Sequence, residues 1–198
     1  MRRGTPFRGT ETRFDKLLSL LTIESMTTLD TRPGSRTDRY AGTGRQWLVL
    51  AGLLAASFLV AYVGGLASSS GVDGWYLVAE KPPWTPPNWL FGPVWTVLYT
   101  AMAVAAWLVW RRWGWRDARV ALSLYAVQLV LNAIWTPLFF GAEQLWWGLA
   151  VIVGLDVVLA CTVVAFYRKH RIAGTLLVPY LAWVLYATSL NAGVAALN

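Results

Sequence analysis

Residues 81–95, KPPWTPPNWLFGPVW, place five prolines and three tryptophans in fifteen positions of a chain that is otherwise rich in Leu, Val and Ala. Proline fixes φ and lacks a backbone N–H, so residues 80–90 cannot simply continue a helix. Pro93 follows Gly92 and suits the first turn of a helix, where a missing N–H costs nothing. The stretch therefore predicts a rigid elbow, residues 80–90, that leads directly into a helix.

The chain as a whole is too apolar for an ordinary soluble domain. Of its 198 residues, 57% are hydrophobic and 14% are charged. A membrane-spanning helix needs about 20 mainly apolar residues. Five such windows lie near residues 46–67, 91–111, 118–140, 145–167 and 174–196. We therefore predict an all-α fold, an integral membrane bundle of five transmembrane helices over residues 46–198.

Residues 1–45 differ in composition, with Arg, Thr, Gly and Asp dominating. We predict a disordered, basic tail. Its apolar patch, residues 14–26, is too short for a secretory signal and lacks a small-residue cleavage site. Two alternatives remain for this patch: an interfacial helix, or an extended start that precedes an initiator at Met26.

Lysine and arginine alternate between the predicted connections. Of the 17 basic residues, nine precede the first window, one lies between windows one and two, four between two and three, and three between four and five. The positive-inside bias predicts a cytoplasmic N-terminus and an external elbow and C-terminus. Basic and aromatic residues do not interleave in a soluble module, so membrane lipid is expected as a partner and nucleic acid is not.

The sequence offers little of the chemistry of soluble enzymes. His170 is the single histidine and Cys161 the single cysteine, and the latter lies inside the fourth window. The single histidine lies between Lys169 and Arg171 in a predicted loop, which argues against a Ser-His-Asp arrangement and a His-based metal site, and the single cysteine excludes a thiolate metal cluster. No phosphate-binding glycine motif occurs in a strand-to-helix context. We therefore expect no metal and no cofactor.

Tryptophan is the residue in excess, with 13 in the chain. Nine lie near window ends, where indoles typically form interfacial belts. These nine are Trp47, Trp75, Trp84, Trp89, Trp110, Trp113, Trp115, Trp146 and Trp147. Trp95, Trp107, Trp135 and Trp183 lie within or near the ends of the predicted helices, and belts explain them less well.

Three windows carry a stripe of rings, amides and small side chains at helical spacing. The stripes are Trp95, Tyr99 and Met102 in window two; Gln128, Asn132 and Trp135 in window three; and Tyr180, Trp183, Ala187 and Asn191 in window five. A buried amide without a partner costs about 1–3 kcal/mol, so these stripes should face inward. We predict that the tryptophans line a cavity under the elbow, which would act as a lid through Trp84 and Trp89. For Gln128, Asn132 and Asn191, structural hydrogen bonds between helices are the competing interpretation.

Three segments resemble the TspO family, the tryptophan-rich sensory proteins that include the translocator protein or peripheral-type benzodiazepine receptor. They are WYLVAEKPPWTPPNWLFGPVWTVLYTAM (75–102), QLVLNAIWTPLFFG (128–141) and LLVPYLAWVLYATSLN (176–191). The resemblance implies a five-helix bundle, commonly a homodimer, that binds porphyrins or haem-like tetrapyrroles. It further implies a receptor or sensor that regulates tetrapyrrole or stress responses. The alternatives are a light-dependent porphyrin-degrading enzyme and a transporter of porphyrin or other amphipathic ligands.

The resemblance and the stripes together imply a set of ligand-binding residues. They are Trp84, Phe91, Gly92, Trp95, Tyr99, Trp135, Trp183, Ala187 and Leu190. Trp95 and Trp183 match the two tryptophans implicated in porphyrin breakdown in bacterial relatives, and are the only candidates for catalysis.

The chain departs from the family pattern in three places. Ala133 stands where a tryptophan is common, which predicts a roomier pocket. The C-terminal AGVAALN lacks the aromatic and basic residues of the eukaryotic cholesterol segment, so sterol binding is not expected. Val151 replaces an acid common early in the fourth window. Asp156 lies five residues further on, and either an inward structural hydrogen bond or ligand and proton handling would explain it.

Overall fold

The computed structural model describes residues 43–72 and 74–198, and the predicted disordered tail therefore falls almost entirely outside the described residues. All secondary-structure elements of the described part are helices or helical turns. They are α1 (Thr43–Val72), α2 (Trp75–Val78), a 3₁₀ turn (Asn88–Leu90), α3 (Phe91–Asp117), α4 (Arg119–Thr136), a π-helical turn (Pro137–Gly141), α5 (Leu145–Lys169) and α6 (Arg171–Leu197). Five helices in this part are long and apolar enough to cross a membrane. The all-α, five-helix membrane fold is confirmed.

Very short connections join α3 to α4 and α5 to α6 at the same end of the bundle. Gly114 adopts φ 67°, which glycine reaches without a steric penalty, and Ala118 alone separates α3 from α4. His170 separates α5 from α6, and its Nδ1 accepts a hydrogen bond from the Ala173 backbone N–H at 3.3 Å. The single histidine is therefore a helix cap, which explains its position without any catalytic role.

The other end of α1 lies against the π-helical turn that follows α4. A Cβ added to Gly71 would lie 2.2 Å from the Phe140 carbonyl oxygen, so only glycine permits this approach. The Trp75 indole N–H donates to the same oxygen at 2.9 Å. These contacts fix where α1 ends and where the elbow begins.

The basic residues gather at one end of the bundle. That end holds the start of α1, the end of α3, the start of α4, the end of α5 and the start of α6. Its described basic residues are Arg45, Arg111, Arg112, Arg116, Arg119, Arg168, Lys169 and Arg171. Lys81, in the elbow, is the described basic residue at the opposite end. The connections that are rich in basic residues in the sequence therefore lie together at one end of the described bundle.

The interfacial interpretation was wrong for one tryptophan. Trp110 has 0% of its surface exposed and belongs to the core. It lies two turns beyond Met102 on the inward face of α3, because regular helix continues past residue 111 as far as the break at Gly114. Trp146 and Trp147, at the start of α5, are 66% and 69% exposed, as belt residues would be.

Candidate ligand-binding site

The elbow is tied to the C-terminal half of α6. The Tyr186 hydroxyl donates to the Trp84 carbonyl oxygen at 2.6 Å. The Asn198 side chain accepts from the Glu80 backbone N–H at 3.2 Å and donates to the Glu80 carbonyl at 3.0 Å. Because the prolines leave few N–H groups for regular structure, these contacts hold the elbow in place.

Close packing adds to these hydrogen bonds at the start of the elbow. A Cβ added to Gly193 would lie 2.8 Å from Pro82 Cγ, so α6 meets the elbow where it has no side chain. Below Pro82, the Lys81 ammonium lies 4.8 Å from the centre of the Tyr76 ring. Burial, and to a lesser degree Tyr186, raises the pKa of the Tyr76 phenol, which stays neutral at physiological pH.

A cavity of about 420 Å³ lies between α1, α3, α4 and α6 next to the elbow. The contribution of α1 is Phe58, Ala61, Gly64, Gly65, Ser68 and Ser69. The 3₁₀ turn and α3 contribute Asn88, Phe91, Gly92, Trp95, Thr96 and Tyr99. The remaining wall is formed by Trp135, Thr136, Phe140, Trp183 and Ala187. None of these described lining residues carries a charge.

The structure brings most of the predicted pocket residues together. Phe91, Gly92, Trp95, Tyr99, Trp135, Trp183 and Ala187 all line the cavity. Trp84 and Leu190 do not. Trp84 is 52% exposed, and Leu190 is packed in the core. The elbow reaches the cavity through Asn88 rather than through its tryptophans.

Sequence reasoning missed α1, which supplies about a third of the described wall. Window one is almost uniformly apolar, so it shows no contrast between faces. The available signal was small residues, Gly64 with Gly65 and then Ser68 with Ser69, at helical spacing from Phe58. Small side chains leave the space that the rings of α3 and α6 face.

Aromatic contacts organise the wall opposite α1. The Trp95 and Tyr99 rings are stacked, with centroids 5.4 Å apart, and Trp95 meets the edge of Tyr180 at 6.1 Å. Phe91 and Trp183 are also in edge contact, at 6.0 Å. The Trp183 indole N–H is buried and has no hydrogen-bond partner among the described residues. The wall thus offers aromatic faces to the cavity.

A chain of buried hydrogen bonds continues from the floor of the cavity. The Tyr99 hydroxyl donates to Asn132 Oδ1 at 2.6 Å, and Asn132 Nδ2 donates to the Tyr180 hydroxyl at 3.0 Å. Tyr180 in turn donates to Gln128 Oε1 at 2.9 Å, and Gln128 Nε2 lies 3.6 Å from Met102 Sδ. The chain links α3, α4 and α6, and it fixes the position of Tyr99.

Asn191 and Asp156 also make contacts between helices. The Asn191 amide accepts from the Trp135 indole N–H at 3.1 Å and donates to the Leu145 carbonyl at 2.9 Å. Asp156 on α5 accepts from the Thr188 hydroxyl at 2.8 Å. The amides of Gln128, Asn132 and Asn191 therefore act between helices, and Asp156 lies outside the cavity wall. Among the described residues, no cluster of three or more His, Cys, Asp or Glu side chains could hold a metal ion.

The fold and the cavity define a class: a small polytopic membrane protein with an uncharged, ring-lined cavity beside a proline-rich connection. The sequence profile of the TspO/MBR family matches residues 52–197, and the chain belongs to that family.

Its relatives span archaea, bacteria and animals. It is 39% identical over 151 residues to "Tryptophan-rich protein TspO" of Archaeoglobus fulgidus, covering 76% of this chain and 97% of that protein. It is 41% identical over 147 residues to "Translocator protein" of Homo sapiens, covering 73% and 87%. It is 40% identical over 152 residues to "Tryptophan-rich sensory protein" of Cereibacter sphaeroides, covering 77% and 92%.

Proposed function

We propose that this protein is a membrane receptor or sensor that binds porphyrins or haem-like tetrapyrroles in the cavity and so regulates tetrapyrrole or stress responses. The observation that carries the proposal is the wall itself, in which Trp95, Trp135 and Trp183 converge on one uncharged space. Flat aromatic ligands bind such walls by burying apolar area and by ring contacts worth about 0.5–1.5 kcal/mol each beyond that area.

The dimensions of the cavity support a ligand rather than a packing defect. Natural cores keep few voids larger than a water molecule. A space of about 420 Å³ falls within the range of about 300–1,000 Å³ typical of small-molecule pockets. The elbow that borders it is fixed by Tyr186 and Asn198, so the site is preorganised and loses little freedom on binding.

Spectral titration tests the proposal. Purified protein in detergent should shift the absorption band of protoporphyrin IX in a saturable manner, with one ligand per chain. Micelles without protein provide the baseline for partitioning. A shift that never saturates, or that matches micelles alone, would refute the proposal.

A light-dependent enzyme is the second candidate, because Trp95 and Trp183 line the same cavity. An excited porphyrin can sensitise oxygen and oxidise an adjacent indole, and such chemistry needs no titratable catalytic residue. Transport has less support. Below Tyr99 the described interior is filled by Met102, Ala106 and Trp110, each 0% exposed, so the cavity has no visible continuation through the bundle.

We further propose that the protein lies in a bacterial inner membrane as a homodimer, with its N-terminus in the cytoplasm and its C-terminus outside. The clustering of basic residues at one end of the bundle supports this orientation. A phosphatase-type reporter fused after Asn198 should be active, and one fused after Asp117 should not. The opposite pattern would invert the topology. The molecular mass in detergent, corrected for bound detergent, tests the dimer.

A further inference from the structure

We propose that the cavity selects a tetrapyrrole by its ring and its apolar edge, keeps the ligand's carboxylates outside the mouth, and does not coordinate a metal at the ring centre. This inference rests on the proposed function. It predicts which tetrapyrroles bind, which the family resemblance leaves open.

The first step is the absence of an axial ligand in the described wall. Haem iron is held in proteins by His, Cys, Met or Tyr side chains. Among the described lining residues, Tyr99 is the one that belongs to these four residue types. Its hydroxyl donates a hydrogen bond to Asn132 Oδ1 at 2.6 Å. Met102 lies one turn deeper, has 0% exposure, and its sulfur faces the Gln128 amide. Neither atom is available to a ligand in the cavity.

The other iron-binding groups of the described chain lie elsewhere. Cys161 is exposed on α5, which contributes no lining residue. His170 caps α6 at the basic end of the bundle, opposite the elbow. A metal at the centre of a bound macrocycle would therefore meet aromatic faces and small side chains only.

The second step concerns charge. A buried carboxylate needs an opposite charge or several hydrogen bonds to offset its desolvation. No described lining residue is basic. Lys81 is the described basic residue at the elbow end of the bundle, and it does not line the cavity. Its ammonium donates a hydrogen bond to the Leu77 carbonyl oxygen at 3.3 Å. A ligand can therefore enter only with a carboxylate-free edge leading.

A three-ligand titration tests both steps. Protoporphyrin IX carries its carboxylates on one edge, its ferric complex adds an iron centre, and uroporphyrin carries carboxylates around the whole ring. We expect the first two to bind with dissociation constants within about threefold of each other, and uroporphyrin to bind at least about a hundredfold more weakly. The bound ferric complex should keep a five-coordinate, high-spin spectrum, and Tyr99→Phe should leave the ratio of ferric to metal-free affinity unchanged.

Other results of this titration would overturn one part of the inference or the whole of it. A ferric complex that binds more than about tenfold tighter than the free porphyrin, or that shows a phenolate band lost in Tyr99→Phe, overturns the claim about the metal. Uroporphyrin binding as tightly as protoporphyrin IX overturns the claim about the carboxylates. In both cases the proposed function stands. If no tetrapyrrole binds, the proposed function falls and this inference falls with it.

Discussion

Tyr180→Phe removes one hydroxyl from the centre of the bundle and leaves the ring in place. Tyr180 is 0% exposed, and its hydroxyl accepts from Asn132 Nδ2 at 3.0 Å and donates to Gln128 Oε1 at 2.9 Å. The substitution strands one amide N–H and one amide carbonyl in the interior. Each stranded group costs about 1–3 kcal/mol in soluble proteins.

Membrane bundles set a lower limit for this cost, since hydrogen bonds between their helices average about 0.6 kcal/mol. Two such bonds give about 1 kcal/mol at the low end, and two stranded groups at the soluble-protein cost give about 6 kcal/mol at the high end, so we expect a loss of about 1–6 kcal/mol in the free energy of unfolding. At about 2–4 °C per kcal/mol for a chain of this size, Tm should fall by about 2–24 °C.

Thermal unfolding in detergent, followed by circular dichroism, measures this shift. Tyr167→Phe is the matched control, because Tyr167 is 50% exposed in the last turn of α5. The control should change Tm by at most about 2 °C, because ordinary surface substitutions change stability by no more than about 0.5 kcal/mol. A Tyr180→Phe shift no larger than that of the control would refute the argument that the buried chain holds the helices together.

The remaining predictions concern the cavity, the elbow and photochemistry. Gly65→Leu should weaken porphyrin binding without lowering Tm, whereas Gly52→Leu should change neither. A Cβ meets nothing within 4 Å at either position, and of the two glycines Gly65 alone lines the cavity. Equal porphyrin affinity of the two variants in the titration would contradict the assigned wall. Asn198→Ala releases the Glu80 backbone and should accelerate both association and dissociation in stopped-flow fluorescence; unchanged rates would mean that the elbow does not gate the site. Any breakdown of protoporphyrin IX, measured as loss of its absorbance, should require light and oxygen. It should vanish in Trp183→Phe at saturating ligand and persist in His170→Ala. Turnover in the dark would indicate a different chemistry.

The sequence predicted those parts of the site in which polar and aromatic residues contrast with aliphatic neighbours. Trp95 with Tyr99, and Trp183 with Ala187, stand out at helical spacing, and all four line the cavity. Hydrogen-bond accounting likewise placed the amides inside, since lipid offers no partner for them.

The parts that were missed depend on tertiary packing. α1 shows no contrasting face in sequence, and its wall is defined by where small residues meet another helix, as Gly64 meets Thr136 with 3.4 Å left for a Cβ. Trp110 was placed at the interface because a window of hydropathy ends near it, although the helix continues past it to the break at Gly114. The position of Trp84 relative to the cavity depends on how the elbow is held against α6, and the hydrogen bond from Tyr186 to the Trp84 carbonyl is a tertiary contact that the sequence does not reveal.

The central claim is that a tetrapyrrole binds against the cavity tryptophans, and quenching of tryptophan fluorescence by protoporphyrin IX tests it most directly. Trp95→Phe and Trp183→Phe should each lose part of the quenching and bind about two- to tenfold more weakly, since one ring contact is worth about 0.5–1.5 kcal/mol. Trp146→Phe is the control, because Trp146 is 66% exposed and does not line the cavity. The account predicts that this control binds as the unmodified protein does. Equal affinity and equal quenching in all three variants would contradict it.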